Sequence, residues 1–249
     1  MTGHRMDVYW LEQTARNVPA ANDWLSEREA VFLSGLRFPR RSSDWRLGRW
    51  TAKQAVAHSL NMSVQRDALA GIEIRPAASG APEVFFANQP MSVTISLSHR
   101  DGAAVCALVL SRAALGCDLE LIEPRSEAFV TDYFTSEEQA LVAQAPDRSR
   151  LLALLWSAKE SALKALGMGL RLDTRCVAVV GNPYSGSERE VCPSGQWYPL
   201  QVAYDRDEIF HGWWRQTGNH LQTLVANPQP SPPIALRTDP LSMPTESTA

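Results

Sequence analysis

Asp118 and Glu120 stand two residues apart in Gly116-Cys117-Asp118-Leu119-Glu120. Glu160 and Lys164 stand four apart in Trp156-Ser157-Ala158-Lys159-Glu160-Ser161-Ala162-Leu163-Lys164. On a strand the first two carboxylates leave the same face; on a helix the second pair shares one side. A strand and a helix that bring these residues together surround one hard cation with three carboxylates and set Lys159 and Lys164 beside it. Mg²⁺ takes oxygen ligands, retains some waters and is commonly held by one or two carboxylates together with substrate phosphates. The pattern therefore points to a site that cleaves or transfers a phosphate-bearing group. Taken singly, each pair has a plainer reading. Asp118 and Glu120 also suit the wet face of a half-exposed strand, and Glu160 and Lys164 an exposed ion pair contributing about 0.3–0.5 kcal/mol. Two features favour a site. Leu155, Trp156, Leu163 and Leu166 give the helix an apolar face beside its charges, and two acids on one strand face repel each other unless a cation relieves them.

The elements that must carry these residues are legible from periodicity and punctuation. Leu115–Leu121 reads as a strand closed by Pro124, and Arg148–Leu166 as a long helix stopped at Gly167. Before them, residues 22–36 and 44–60 read as helices, the first capped by Asn22 or Asp23. Short strands are expected at Gly71–Ile74 and Val84–Phe86. Met91–Leu97 and Ala103–Leu110 follow as strands on either side of the turn signal Asp101-Gly102. After them, Thr135-Ser136-Glu137-Glu138 opens a helix through about Ala143. Val177–Val180, Tyr198–Tyr204, Glu208–Trp214 and His220–Ala226 read as strands. Each half thus runs helices first and strands after, with a boundary near residue 111. Ser98-His99…Ala104–Val109 and Asn219-His220…Thr223–Val225 end alike, too loosely to establish a duplication. Residues 227–249, rich in proline and poor in apolar residues, are expected to form a mobile tail.

Composition sets the outer limits. A chain of 249 residues has ample core for one large domain or two modest ones, and 45% hydrophobic with 20% charged residues is ordinary for a globular protein. The net charge of −3 argues against a general nucleic-acid binder. No apolar run approaches the roughly 18–20 residues of a membrane span. The first thirty residues carry five acids and lack the apolar core of a signal peptide, which makes the cytoplasm the expected location. Cys106, Cys117, Cys176 and Cys192 show no metal-binding spacing and are expected to be reduced, packing as small apolar residues. Arg37, Arg40, Arg41, Arg46 and Arg49 form the densest basic cluster, suited either to a phosphate or to a solvated face.

In their order, these motifs resemble the Sfp-type 4′-phosphopantetheinyl transferases. Gly116, Asp118 and Glu120 fill that family's Gly-x-Asp-x-Glu segment. Trp156, Lys159, Glu160 and Lys164 fill its Trp-x-x-Lys-Glu-x-x-x-x-Lys segment, and Gly167-Met168-Gly169-Leu170 is similar to its continuation. Ser96-Leu97-Ser98-His99 resembles its Ser-His segment, and Arg41 and Arg49 its basic N-terminal segment. The resemblance implies an α+β fold of two pseudo-symmetric halves, 1–110 and 111–226, with the active site in the cleft between them. It implies Mg²⁺ held by Asp118, Glu120 and Glu160, with Glu160 as general base. Lys159 and Lys164 would act on phosphoryl oxygens, Ser98 and His99 would meet the phosphates of coenzyme A, and Arg41 and Arg49 its 3′-phosphate. The implied reaction moves the 4′-phosphopantetheine arm of coenzyme A to a serine of an acyl carrier protein or peptidyl carrier domain, releasing adenosine 3′,5′-bisphosphate. A monomer is implied, since both halves lie in one chain. Fatty-acid, polyketide and nonribosomal-peptide carriers stay equally open, as do a different Mg²⁺-dependent transferase and a binding module without turnover. In one respect the chain departs from the pattern: where many relatives place a lysine over the coenzyme, it has Ser79-Gly80-Ala81-Pro82.

Overall fold

The computed structural model describes residues 5–168, 171–181, 183, 194–205 and 208–237. In chain order, the first half contains β1 (Tyr9–Thr14), α1 (Glu27–Ser34), α2 (Pro39–Ser59), α3 (Arg66–Ala70), β2 (Ile72–Pro76), β3 (Pro82–Phe86), β4 (Gln89–Pro90), β5 (Thr94–Arg100) and β6 (Ala103–Val109). The second contains β7 (Ala114–Leu121), α4 (Glu127–Tyr133), α5 (Ser136–Ala143), α6 (Arg148–Ala165), β8 (Val177–Val179), β9 (Tyr198–Tyr204), β10 (Glu208–Thr217), β11 (His220–Asn227) and β12 (Ile234–Ala235). The strands form sheets ordered β12-β1-β6-β5, β7-β11-β10-β9-β8 and β2-β3-β4. The α+β class expected from the sequence is the class observed.

Each of the two larger sheets is covered on one face by one long helix. Helix α2 lies on the first sheet, where Trp50 and Val56 join Leu11, Cys106 and Leu108 in one core; α6 lies on the second, joining Leu155 and Ala162 to Leu221, Val225 and Phe210. The uncovered faces meet each other through Val8, Trp10, Val105, Ala107, Leu115, Cys117, Leu119 and Leu224. Strand β7 is therefore buried on both sides, which explains its near-continuous burial. Leu115, Cys117 and Leu119 point into the junction, and the alternate residues Gly116, Asp118 and Glu120 turn toward α6. A Cβ on Gly116 would sit 1.8 Å from the Ser161 carbonyl oxygen, so only glycine lets α6 approach this closely.

An internal repeat underlies the two halves. The Ser26 side chain caps α1 and Glu29 closes the capping box; Thr135 and Glu138 do the same for α5. The second oxygen of Glu29 accepts from the Ile74 amide at 3.1 Å, and that of Glu138 from the Val179 amide at 3.3 Å. Lys53 of α2 is fully buried against Glu29 and donates to the carbonyls of Trp24 and Leu69. Lys159 of α6 is fully buried against Glu138 at 2.8 Å and donates to the carbonyls of Thr174 and Val177. The matching sequences are Trp50-Thr51-Ala52-Lys53-Gln54 and Trp156-Ser157-Ala158-Lys159-Glu160. The duplication lies in these helices, away from the strand ends where a likeness was noted.

Three sequence expectations are corrected. Helix α1 starts at Glu27 because Ser26, rather than Asn22 or Asp23, finds a partner for the capping box. Strands β1 and β4 and helices α3 and α4 have no counterpart in the sequence reading. The proline-rich segment, expected to be mobile from 227 onward, instead lies along β1: β12 pairs parallel with it, and the amides of Ser231, Ile234 and Leu236 donate to Met6, Val8 and Trp10, each at 2.8 Å. An edge strand needs only alternate N–H groups, so prolines at 230, 232 and 233 fit between those donors. Residues 238–249 lie outside the described residues. Cys106 and Cys117 are buried free thiols and Cys176 a half-buried one; Cys192 lies outside the described residues. No described helix is long and apolar enough to cross a membrane.

Candidate active site

The edge strands β5 and β7 run against each other where the two sheets join, and their polar side chains meet. Ser96 and Ser98, two apart on β5, both face β7. The Cys117 amide donates to Ser96 Oγ at 2.9 Å, and Ser98 Oγ donates to Asp118 Oδ1 at 2.8 Å. From α6, Lys164 Nζ donates to the same Asp118 oxygen at 2.8 Å and to the Cys117 carbonyl at 3.0 Å. Asp118 is 4% exposed, and its other oxygen, Oδ2, is buried with no hydrogen-bond partner among the described residues. Burial opposes the charge on Lys164, but Asp118 and its neighbours outweigh it and hold the ammonium above the usual lysine range.

Glu160 lies one helical turn before Lys164. Burial, then the negative charge of Asp118 and more weakly that of Glu120, push its carboxyl up to about 7, with Lys164 opposing. Burial and Asp118 likewise raise the Glu120 carboxyl, against Arg100 and Arg125. The charges of the three acids therefore act on one another. The acids do not close a cage, however: among the described residues no three His, Cys, Asp or Glu side chains are grouped to hold a metal ion. Glu120 Oε2 accepts from Arg125 at 3.1 Å, with Arg100 at 3.9 Å, so its charge is already answered by protein. An orphaned, buried Asp118 oxygen beside a repelled Glu160 fits a cation that completes its shell with water and substrate oxygens, which is the habit of Mg²⁺.

Lys164, which holds Asp118, also lines a cleft of about 530 Å³ between the halves, whereas Asp118, Glu120 and Glu160 are not among its lining residues. The cleft is also lined by Trp45 and Arg49 of α2, Ser96 and His99 of β5, and the loop Ser79–Pro82. An adjoining hollow of about 520 Å³ shares Asp44, Trp45 and His99 and adds Phe38, Arg40 and Arg41. Arg49 and Lys164 are the cationic side chains lining the inner cleft, and Arg41 belongs to the outer hollow. The Arg49 guanidinium stacks over Trp45 at 5.0 Å and lies 3.7 Å from Glu29. Arg46, three residues before it, is turned instead to the carbonyls of Pro19 and Ala20. A larger hollow of about 760 Å³ beside α5 and β8 contains none of the residues predicted for the site.

One predicted site residue is placed elsewhere. Lys159 is on the core side of α6, fully buried, with its ammonium spent on Glu138 and two carbonyls. Glu160 and Lys164 share a side of the helix, whereas Lys159 sits about 100° away from Glu160. It braces α6 and does not reach the cleft. Sequence reasoning missed Ser96, Trp45, Arg100 and Arg125. The alternation Ser96-x-Ser98 signalled the first, while the arginines gain meaning only from folding beside Glu120. Of the Gly167-Met168-Gly169-Leu170 run, Gly169 and Leu170 lie outside the described residues.

Residues 114–209, from the start of β7 into β10, match the 4′-phosphopantetheinyl transferase superfamily. This segment is what the chain has in common with that superfamily. The chain is similar to proteins named holo-[acyl-carrier-protein] synthase from Streptococcus agalactiae serotypes III, V and Ia, each 28% identical over 116 residues, 44% of this chain and 96% of theirs. A solved structure of Helicobacter pylori holo-[acyl-carrier-protein] synthase in complex with coenzyme A superposes with a TM-score of 0.34 at 17% identity, covering 42% of this chain and 99% of that one. The matched segment, which resembles enzymes of that superfamily, contains Asp118, Glu120, Glu160 and Lys164.

Proposed function

We propose that this chain transfers the 4′-phosphopantetheine group of coenzyme A to a serine hydroxyl of an acyl carrier protein or peptidyl carrier domain, in an Mg²⁺-dependent reaction that releases adenosine 3′,5′-bisphosphate. The observation that carries this reading is Lys164, which bonds Asp118 beside Glu160 and also lines the cleft that contains Arg49 and His99. Holo-[acyl-carrier-protein] synthases, to which the chain is similar, bear a name that fits the same acceptor.

A serine hydroxyl is a weak nucleophile, and a diphosphate repels attack by its own charge. Glu160 would accept the serine proton as the oxygen attacks the β-phosphorus of coenzyme A. The bond to the leaving 3′,5′-bisphosphate breaks in the same displacement. Asp118 through Oδ2, and Glu160 through its second oxygen, would hold Mg²⁺, with Glu120 contributing if Arg125 releases it. When bound, the ion neutralises charge on the diphosphate. Lys164 adds a fixed positive charge beside these oxygens. Arg49 in the inner cleft and Arg41 at its mouth suit the 3′-phosphate end, and His99 between them suits the diphosphate. Arg49 and Lys164 thereby supply positive charge that the Ser79–Pro82 loop, lacking a lysine, does not. With both halves in one chain the enzyme works as a monomer, in the cytoplasm.

The test is to incubate the chain with coenzyme A, Mg²⁺ and apo carrier proteins of the fatty-acid, polyketide and nonribosomal-peptide classes, then weigh the carriers by mass spectrometry. A gain equal to one phosphopantetheine on the serine is expected for at least one class. No gain on any of them, with the chain folded and coenzyme A bound, overturns the reading.

A further inference from the structure

The hydroxyl of Ser98 can donate one proton. It is spent on Asp118 Oδ1 at 2.8 Å, the oxygen that also receives Lys164 Nζ at 2.8 Å. A phosphate can only accept, so a serine committed in this way has no donor left for a coenzyme phosphate. The two donors reach Asp118 from different halves of the molecule: Ser98 from β5 of the first, Lys164 from α6 of the second. Together they saturate Oδ1, fix the rotation of the carboxylate, and leave Oδ2 as its only open position, buried and without a protein partner among the described residues. The backbone beside Asp118 is clamped by the same two elements, the Cys117 amide by Ser96 Oγ and the Cys117 carbonyl by Lys164.

We propose that Ser98 is a positioning residue for Asp118, through which the first half orients the metal-binding carboxylate of the second, and that it is not a ligand of coenzyme A. This rests on the Mg²⁺ reading given above. Partners that orient a metal-binding group are commonly worth about 10–100-fold in metal affinity.

Mn²⁺ is the probe, with free ion followed by electron paramagnetic resonance on the full-length chain saturated with coenzyme A. No carrier is present, so no turnover occurs. Ser98→Ala is expected to weaken Mn²⁺ binding about 10–100-fold. The dissociation constant for coenzyme A measured in chelator stays within about twofold of the wild-type value. Ser98→Thr, which keeps the hydroxyl, holds Mn²⁺ near wild-type affinity and guards against a mere packing effect in the alanine variant. Unchanged Mn²⁺ affinity in Ser98→Ala overturns the proposal, as does a loss of metal-free coenzyme affinity as large as the loss for Mn²⁺. Failure of the wild-type chain to take up Mn²⁺ at all removes both this proposal and the Mg²⁺ reading. Normal Mn²⁺ behaviour in a chain that modifies no carrier removes the transfer reading alone.

Discussion

At the scale of single residues, Glu160 combines two properties that burial forces on it. Its carboxyl titrates near 7 and ordinarily would near 4.5, because desolvation and Asp118 both penalise the charged form. A group whose folded value is raised loses stability on ionising. Its contribution is full below about 4.5, declines across the window up to about 7, and is gone above it. Glu160→Gln removes that penalty, so in chelator the variant should melt above wild type at pH 8 and alongside it at pH 4. Equal melting temperatures at both values would show that Glu160 is not strained in the free chain. The same variant loses the proton acceptor and should transfer at least roughly 100-fold more slowly, the lower range for a general base. Arg49 offers a separate check. Arg49→Ala should raise the KM for coenzyme A much more than that for 3′-dephospho-coenzyme A, and equal increases would remove Arg49 from the 3′-phosphate.

At the scale of elements, the repeated helix explains why Lys159 faces the core. In Trp-x-x-Lys-Glu the lysine and the glutamate are neighbours in sequence, so on a helix they face about 100° apart. The chemistry of the motif does not reveal which of the two meets solvent. Its counterpart in the first half gives the answer: Trp50-Thr51-Ala52-Lys53-Gln54 keeps the lysine and drops the charge of the next residue, as a bracing lysine requires and a catalytic one does not. Burial holds both ammoniums below the usual lysine range, with Glu29 and Glu138 opposing. Replacing one partner of such a buried pair strands the other, at a cost of about 3–5 kcal/mol. Lys159→Met should therefore lower stability by about that amount in urea titration, and Glu138→Gln in the same chain, which removes the stranded charge and keeps an acceptor for the Thr135 and Val179 amides, should recover part of it. Activity per folded molecule should change little. A catalytic loss with stability intact would return Lys159 to the site. The strands and long helices were legible because period and turn residues agreed, as at Asp101-Gly102, where both residues adopt positive φ. Strand β12 was not, because its order comes from a distant edge and its own composition argues against it.

At the scale of the whole molecule, the two halves are alike in frame and unlike in charge. Counting along the repeat, Gln54 and His58 of α2 stand where α6 carries Glu160 and Lys164, and Leu11 of β1 faces α2 much as Asp118 of β7 faces α6. Only the second half has the acids, and the first supplies cleft wall, arginines and the Ser98 contact. Between them lies an apolar junction built from Trp10, Val105, Ala107, Leu115, Leu119 and Leu224. At its rim Glu12 of β1 accepts from Arg215 at 3.1 Å and from Gln222 at 2.8 Å, both in the second half. The chain then crosses back to lay β12 on β1. Neither half can leave that face open to water, since an apolar patch of this kind is covered or causes association. Residues 114–227 expressed alone should accordingly self-associate or precipitate, and adding residues 1–113 as a separate chain should restore a soluble one-to-one complex. Sedimentation at micromolar concentration distinguishes the outcomes. A folded, monomeric second half would mean that the junction is not what holds the enzyme together.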